Sequence, residues 1–413
     1  MRHELVVTLA WVSAAAALAP LLTAALPRRV VPVIVAEIVL GIAVGPSGFG
    51  LLTPNPALDL LAGLGFALLM FVSGIEIDLR LLTRNTSAAG PRRPLLWTLP
   101  IVLATFALSF AGASWLWRGE RGTAELLFLS FVLSTTSVGI VVPTLKERAL
   151  TATAFGQLLL ACAILADLFT MIGVSVIAAW IAGGELLRAL QPLLFVLVAA
   201  LGCLLLVRFG RGTATLALLR TLDTPTARWP MRAAFALLFA LALLAEALQA
   251  EMVLAAFVAG IAVGAMSPRG SALRDRVEAS GFGLLIPMFF FGVGVGFDLP
   301  ALLASPATLA ALPALLMLAY GNKIVPMLPL RGFFGTRELL GGGVLLAARL
   351  SLVIAAAAIG VRLGVLDAAL NAAMILLALC TAVLSPVLFN LLAPAAAPIA
   401  AARRDDKRER PAS

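Results

Sequence analysis

Asp167 is the only charged residue between Arg148 and Glu185, within the stretch "CAILADLFTM" (162–171). An ionisable group at the centre of a membrane helix costs about 2.5–3.5 kcal/mol on insertion scales, so such groups usually face a cavity or a partner. A carboxylate in that setting can bind a cation or a proton in turn. The structural alternative is a buried aspartate paired with a neighbouring helix. Lys323, in "LMLAYGNKIVPML", is one of three lysines. It stands eight residues from Arg331 at the expected membrane edge, roughly 12 Å along a helix. That depth is comparable with Asp167 and awkward for snorkelling to the surface. Arg349, in "GGGVLLAARLSLVIAAAA", reads as a fixed charge beside a helix break, or as a residue that neutralises helix ends or pairs with Glu338. Glu37, in "VIVAEIVLGIAVGPSG", sits mid-span beside close-packing glycines and is open to either a structural or a functional reading. Glu76 and Asp78 lie near a membrane edge, where charge is cheap, and Glu246 and Glu251 flank an outer turn and read as solvated.

Two segments look like interrupted helices. "LLFLSFVLSTTSVGIVVPTLKE" places four consecutive hydroxyl residues, Ser134 to Ser137, ahead of Gly139 and Pro143. "LLGGGVLLAARLSLVIAAAAIG" has three glycines, then Arg349 and Ser351. A break frees backbone carbonyls and amides that lipid cannot satisfy, so such segments line cavities. There, carbonyls and hydroxyls can replace a cation's water shell.

These residues must be held by membrane helices. Of 413 residues, 62% are hydrophobic and 12% charged, against about 25% charged in soluble domains. Apolar runs near the bilayer-spanning length of about 20 residues predict thirteen spans, at 5–26, 30–50, 58–79, 94–117, 124–145, 152–182, 187–207, 233–249, 252–267, 281–297, 301–329, 338–361 and 366–392. With the N-terminus outside and the C-terminus inside, 23 of the 30 basic residues fall on the inner side, 5 on the outer side, and only Lys323 and Arg349 within spans. This is the positive-inside bias. The first run, about 22 residues with its basic pair after it, is too long for a signal-peptide core and is expected to be retained. The three cysteines fall within apolar runs, and His3 is the only histidine, which argues against a disulfide framework, a metal cluster or a histidine relay. The net charge of +9 points to topology and anionic lipid, not nucleic acid. No span holds a nucleophile-and-base constellation, so an enzyme is not expected. The tail 393–413 reads as a charged cytoplasmic extension.

The two interrupted segments are the middle members of spans 4–6 and 11–13. Their offset of seven spans, an odd number, gives the two triplets opposite orientation, the arrangement that points to a transporter site at the midplane. Asp167 follows the first break and Lys323 precedes the second. Treated as mates of an inverted repeat, those two helices carry both charges to one crossing.

At this point the chain resembles the monovalent cation:proton antiporter superfamily, in the branch with bacterial Na+/H+ antiporters and Kef-type K+ efflux proteins. The resemblance is carried by "PVIVAEIVLGIAVGPSGFGLL" (32–52), "GFALLMFVSGIEIDLRLL" (65–82), "LSTTSVGIVVPTLKE" (133–147), "LAAFVAGIAVG" (254–264), "FGLLIPMFFFGVGVGFDL" (282–299) and "TAVLSPVLFN" (381–390). It implies an all-α inverted-repeat antiporter fold with two crossed broken helices, and a homodimer in the bacterial inner membrane. By analogy the scaffold is 1–93 and 228–299, the sliding core 94–182 and 301–392, and 187–207 the linker helix. Asp167 takes the place of the ion-binding aspartate and Lys323 that of the charge-partner lysine. Ala166 stands where relatives carry a second acid or an amide, and "AARLS" stands where many carry Pro-Arg-Gly-Glu. The Kef-type nucleotide-binding domain is absent from this sequence, so gating by it is not expected.

The reading that follows is exchange of Na+, Li+ or K+ for protons across the bilayer. Cation and proton compete at Asp167, helped by Thr135, Thr136 and Ser137, with Lys323 and Arg349 as charge partners and Glu37 and Ser351 as secondary candidates. No cofactor beyond the transported ions is called for. The rival readings are an organic-anion or bile-acid-type symporter, which also uses crossed broken helices, and a cation channel.

Overall fold

The computed structural model describes residues 2–25, 32–76, 94–119, 121–151, 153–183, 190–210, 228–248, 250–266 and 272–392. Among them all regular structure is helical. The order is α1 (Arg2–Ala25), α2 (Val33–Val44), α3 (Pro56–Glu76), α4 (Pro94–Leu116), α5 (Thr123–Ser134), α6 (Val138–Glu147), α7 (Ala154–Gly183), α8 (Gln191–Gly210), α9 (Trp229–Ala247), α10 (Met252–Met266), α11 (Ala272–Ser280), α12 (Ile286–Val295), α13 (Leu299–Leu303), α14 (Pro306–Ile324), α15 (Thr336–Leu346), α16 (Ser351–Arg362) and α17 (Ala368–Leu392).

Among the described residues, nine helices are long and apolar enough to cross a bilayer, or ten if the bent pair α15–α16 is one span. Three shorter apolar helices, α2, the front of α8 and α10, account for the other predicted segments. The boundaries move where local chemistry dictates. The segment expected over 281–297 starts earlier, at Ala272, because α11 runs through a π-helical turn, Gly281–Leu285, into α12. The segment expected over 301–329 is interrupted instead of continuous. Asp298 caps the short α13 by accepting from the Ala301 amide at 2.8 Å, and α14 restarts at Pro306. Pro326 and Pro329 lack amide donors, and the chain leaves α14 as a 3-10 turn, Val325–Gly332. The tail 393–413, Asp78, and the basic residues in 26–31, 77–93, 211–227 and 267–271 lie outside the described residues.

Two helix pairs cross backbone to backbone. A Cβ on Gly74 of α3 would collide with the Phe257 carbonyl of α10, and one on Gly260 with the Phe71 carbonyl. The same holds for Gly41 of α2 against Phe291 of α12, and for Gly294 against Ile38. Without a hydrophobic drive between helices in lipid, such close approach of small residues supplies the packing. The sequence carries the duplication: "GIAVG" occurs at 41–45 and again at 260–264. The remaining helices repeat the pattern. α4, α5, α6 and α7 pack among themselves as α14, α15, α16 and α17 do. Phe71, Phe128, Phe257, Phe290 and Phe291 are fully buried at the centre of this packing.

Candidate functional site

The first break is short. α5 ends at Ser134, Thr135–Ser137 are non-helical, and α6 begins at Val138. The second falls at Ala347–Leu350, between α15 and α16, which bend by 42°. The three glycines of the second segment lie inside α15 and not at its break. Gly343 seats against the Ile324 backbone and Gly342 against Phe155, Leu159 and Met327. The two breaks cross and satisfy each other: the Ser137 amide donates to the Ala348 carbonyl at 2.8 Å, and the Thr136 hydroxyl donates to the Leu346 carbonyl at 3.1 Å. Carbonyls orphaned at a helix end are thus paired within the protein, as a lipid environment demands.

Three charged side chains surround the crossing, and all are buried. Asp167 of α7 is 6% exposed, Lys323 of α14 3% and Arg349 0%. The Asp167 carboxylate lies near the start of α6 at Val138, and its Oδ1 has no partner. A helix N-terminus is a natural seat for negative charge. Lys323 Nζ donates to the Ser134 carbonyl and to the Thr136 hydroxyl, each at 2.7 Å. Lys323 therefore does not snorkel. Nor does it form a direct ion pair with Asp167; among the described residues the ion pairs are Arg121–Glu125 and Arg362–Glu251.

Arg349 Nη2 donates to the Ala319 carbonyl at 2.9 Å and to Asn322 Oδ1 at 3.3 Å, while its Nε and Nη1 have no partner. The alternative pairing with Glu338 is overturned. Glu338 sits at the first turn of α15 and accepts from the Gly335 amide at 2.9 Å. Thr135 turns its hydroxyl back onto the Val132 carbonyl at 3.0 Å. Ser137 is buried and contributes its amide to the crossing. Ser351 opens α16 half-buried and makes no side-chain hydrogen bond among the described residues. Glu37 is not brought to the crossing. It is buried on α2, which packs on α12, and its Oε2 has no partner.

The repeat also pairs helices differently from the sequence expectation. An offset of seven spans relates α7 to α17 and α14 to α4, so Asp167 and Lys323 are not repeat mates. They meet because each flanks the crossing within its own triplet. Their mates supply polar groups to the same region. Ser109 of α4 accepts from Asn322 Nδ2 at 2.8 Å, and Thr381 of α17 donates to the Arg349 carbonyl at 3.2 Å. Asn322 Nδ2 also donates to the Leu133 carbonyl at 2.9 Å. Sequence reading passed over Asn322, Ser109 and Thr381. The usable signal was a buried amide directly before Lys323. Glu251, read as solvated, instead accepts from Arg362 Nη2 at 2.8 Å.

Among the described residues, cavities of very different size lie on the two sides of the crossing. A cavity of about 400 Å³ opens where α2 begins and α6 and α17 end, lined by Pro32, Ile34, Gly139, Thr144, Glu147 and Asn390 among others. On the opposite side a cleft of only about 10 Å³ lies between α7, α10 and α16, beneath Glu251.

Crossed interrupted helices in two similarly packed helix triplets, around a buried acid and a buried lysine, are an architecture found among secondary transporters. The chain belongs to the transmembrane sodium/hydrogen exchanger family, whose pattern it matches over residues 13–390. It is 35% identical over 379 residues to YjbQ of Bacillus subtilis (strain 168), covering 89% of this chain and 59% of that protein. It is 28% identical over 316 residues to the glutathione-regulated potassium-efflux system protein KefC of Klebsiella pneumoniae (strain 342), covering 75% of this chain and 48% of that one. The chain thus spans about half to three-fifths of the length of these relatives. Its fold is similar to the solved structure of the sodium proton antiporter MjNhaP1 of Methanocaldococcus jannaschii, with a TM-score of 0.64 at 15% identity over 94% of this chain and 99% of that one.

Proposed function

We propose that this protein is a thirteen-span secondary antiporter that exchanges Na+, Li+ or K+ for protons at Asp167. The observation that carries the reading is the Asp167 carboxylate: 6% exposed, at the crossing of two interrupted helices, with Oδ1 unpartnered. A buried, under-satisfied carboxylate calls for a cation or a proton. The family's description as sodium/hydrogen exchangers and the potassium efflux in KefC's name support monovalent cations as the cargo.

Lys323 explains how exchange is enforced. Its ammonium holds the Ser134 carbonyl and the Thr136 hydroxyl, oxygens of the kind that replace a dehydrated cation's water shell. A cation bound between Asp167 Oδ1 and these oxygens must displace the ammonium, which withdraws or gives up its proton. Protonation of Asp167 removes the charge that holds the cation. One carboxylate cannot carry both, so the half-cycles alternate. The loaded or protonated site is neutral enough to cross the barrier, whereas a bare carboxylate is not.

The movement is of elevator type. The scaffold is 1–93 and 228–299, the sliding core 94–182 and 301–392, and the linker 187–207, in a homodimer with the N-terminus outside and the C-terminus inside. The 400 Å³ cavity then faces the cytoplasm of a bacterium, and the form described is open inward. No cofactor takes part. The test is a proteoliposome assay in which added Na+, Li+ or K+ dissipates a pH gradient, read by dequenching of a pH-sensitive dye. Asp167→Asn protein that reconstitutes and folds yet still exchanges removes the reading. Ion flux without a coupled pH change favours a channel instead.

A further inference from the structure

On the side of the small cleft, a pair of charges joins two different helix groups. Glu251 immediately precedes α10, and Arg362 is the last residue of α16. Arg362 Nη2 meets Glu251 Oε2 at 2.8 Å, with Arg362 66% and Glu251 22% exposed. Directly beneath lies the cleft of about 10 Å³, lined by Glu251, Leu254, Met171, Ser175, Leu352 and Ala355 among others. Met171, Val174 and Ser175 follow Asp167 at i+4, i+7 and i+8, so they share one stripe of α7. The cleft therefore runs along the face of α7 that carries Asp167. On the open side, Ile140, Thr144 and Glu147 line the large cavity at matching helical spacing below Ser137. The large cavity thus reaches α6 just past the first break, and the cleft, with about the volume of a single water, reaches α7 just past Asp167 and α16 just past the second break.

We propose that Glu251 and Arg362 form the gate of a route through this cleft, so that ions reach Asp167 from that side only when this pair opens. The inference rests on the exchange reading above. α16 begins directly after the second break and ends at Arg362, so a shift of the crossing relative to α10 pulls the two charges apart. A half-exposed pair is weak. It biases the equilibrium toward the described form without locking it. Once released from Arg362, Glu251 leaves a carboxylate at the mouth that attracts cations and repels anions.

Two measurements test the gate. In a Cys203→Ser, Cys380→Ala background, Glu251→Cys and Arg362→Cys are joined by a short cleavable bifunctional thiol reagent, with the single-cysteine proteins treated alike as controls. Complete cross-linking is expected to stop cation–proton exchange, and cleavage of the linker to restore it. Undiminished exchange by fully cross-linked protein overturns the gate, while absence of exchange in the Cys203→Ser, Cys380→Ala parent counts against the exchange reading. Independently of transport, Ser175→Cys is labelled by a membrane-impermeant thiol reagent added from the closed side. Arg362→Gln is expected to raise the labelling rate up to about fivefold, and the charge-swapped pair Glu251→Arg with Arg362→Glu to return it toward the parent value. An unchanged rate in Arg362→Gln overturns the gate whether or not ions are exchanged.

Discussion

The Lys323 ammonium donates to the Ser134 carbonyl at 2.7 Å across 189 residues of sequence. It thereby closes the C-terminal end of α5, where unpaired carbonyls concentrate negative charge. Its neighbour Asn322 does the same for the Leu133 carbonyl. Two consecutive side chains of α14 thus hold two consecutive carbonyls at the first break.

On the proposed reading Lys323 occupies oxygens that the cation needs, so Lys323→Met should lower the apparent KM for the transported cation by about tenfold, the factor that corresponds to about 1.4 kcal/mol. Initial rates against cation concentration in proteoliposomes at fixed pH check this. An unchanged or raised KM would show that the ammonium does not compete.

On the proposed reading, a proton leaves Asp167 when a cation enters. The apparent KM should therefore fall as pH rises, by no more than about tenfold per pH unit, and level off once the carboxylate is fully ionised. A steeper slope would require a second titrating group in the exchange step. Asp167→Asn should abolish exchange while leaving the detergent-solubilised protein with the parent's thermal unfolding profile.

Asn322→Leu should destabilise the protein by about 1–3 kcal/mol, the cost of leaving buried polar groups unpaired. It removes the donor to the Leu133 carbonyl and to the Ser109 hydroxyl, and the Asn322 Oδ1 acceptor of Arg349. Thermal unfolding in detergent reads the loss, and Asn322→Gln or Asn322→Asp tests how closely the amide geometry is set.

Gly74→Val and Gly41→Val should each destabilise by about 1–3 kcal/mol or more, since the added side chain meets backbone that cannot rotate away. Gly63→Ala, on the same helix as Gly74 but facing open space, should leave the unfolding temperature unchanged or raise it. Paired measurements on the three variants separate close packing from a general intolerance of substitution.

Much of the fold was legible because the bilayer imposes local rules. Span length and the confinement of Asp167, Lys323 and Arg349 to apolar runs are set by hydration cost, which depends on composition over about 20 residues. The first break was legible for the same reason, since Ser134 to Ser137 offer the backbone polar alternatives to helix. The glycines of α15 misled. Glycine marks a break in one context and close packing in another, and only the facing surface, here Ile324 and Phe155, distinguishes them. The duplicated "GIAVG" was present in the sequence and went unused.

The sequence by itself determined an all-helical membrane protein of this family's pattern, with an acid and a lysine at similar depth and two interrupted helices. Tertiary structure decided which groups meet. It gave Lys323 the oxygens of the first break instead of Asp167, gave Arg349 the Ala319 carbonyl and Asn322 instead of Glu338, and paired Glu251 with Arg362. Hydropathy and spacing fix how deep a residue lies, because the cost of burial is a property of the residue and its immediate run. They do not fix which way a side chain points across a gap of two hundred residues, because that depends on how helices from separate triplets cross.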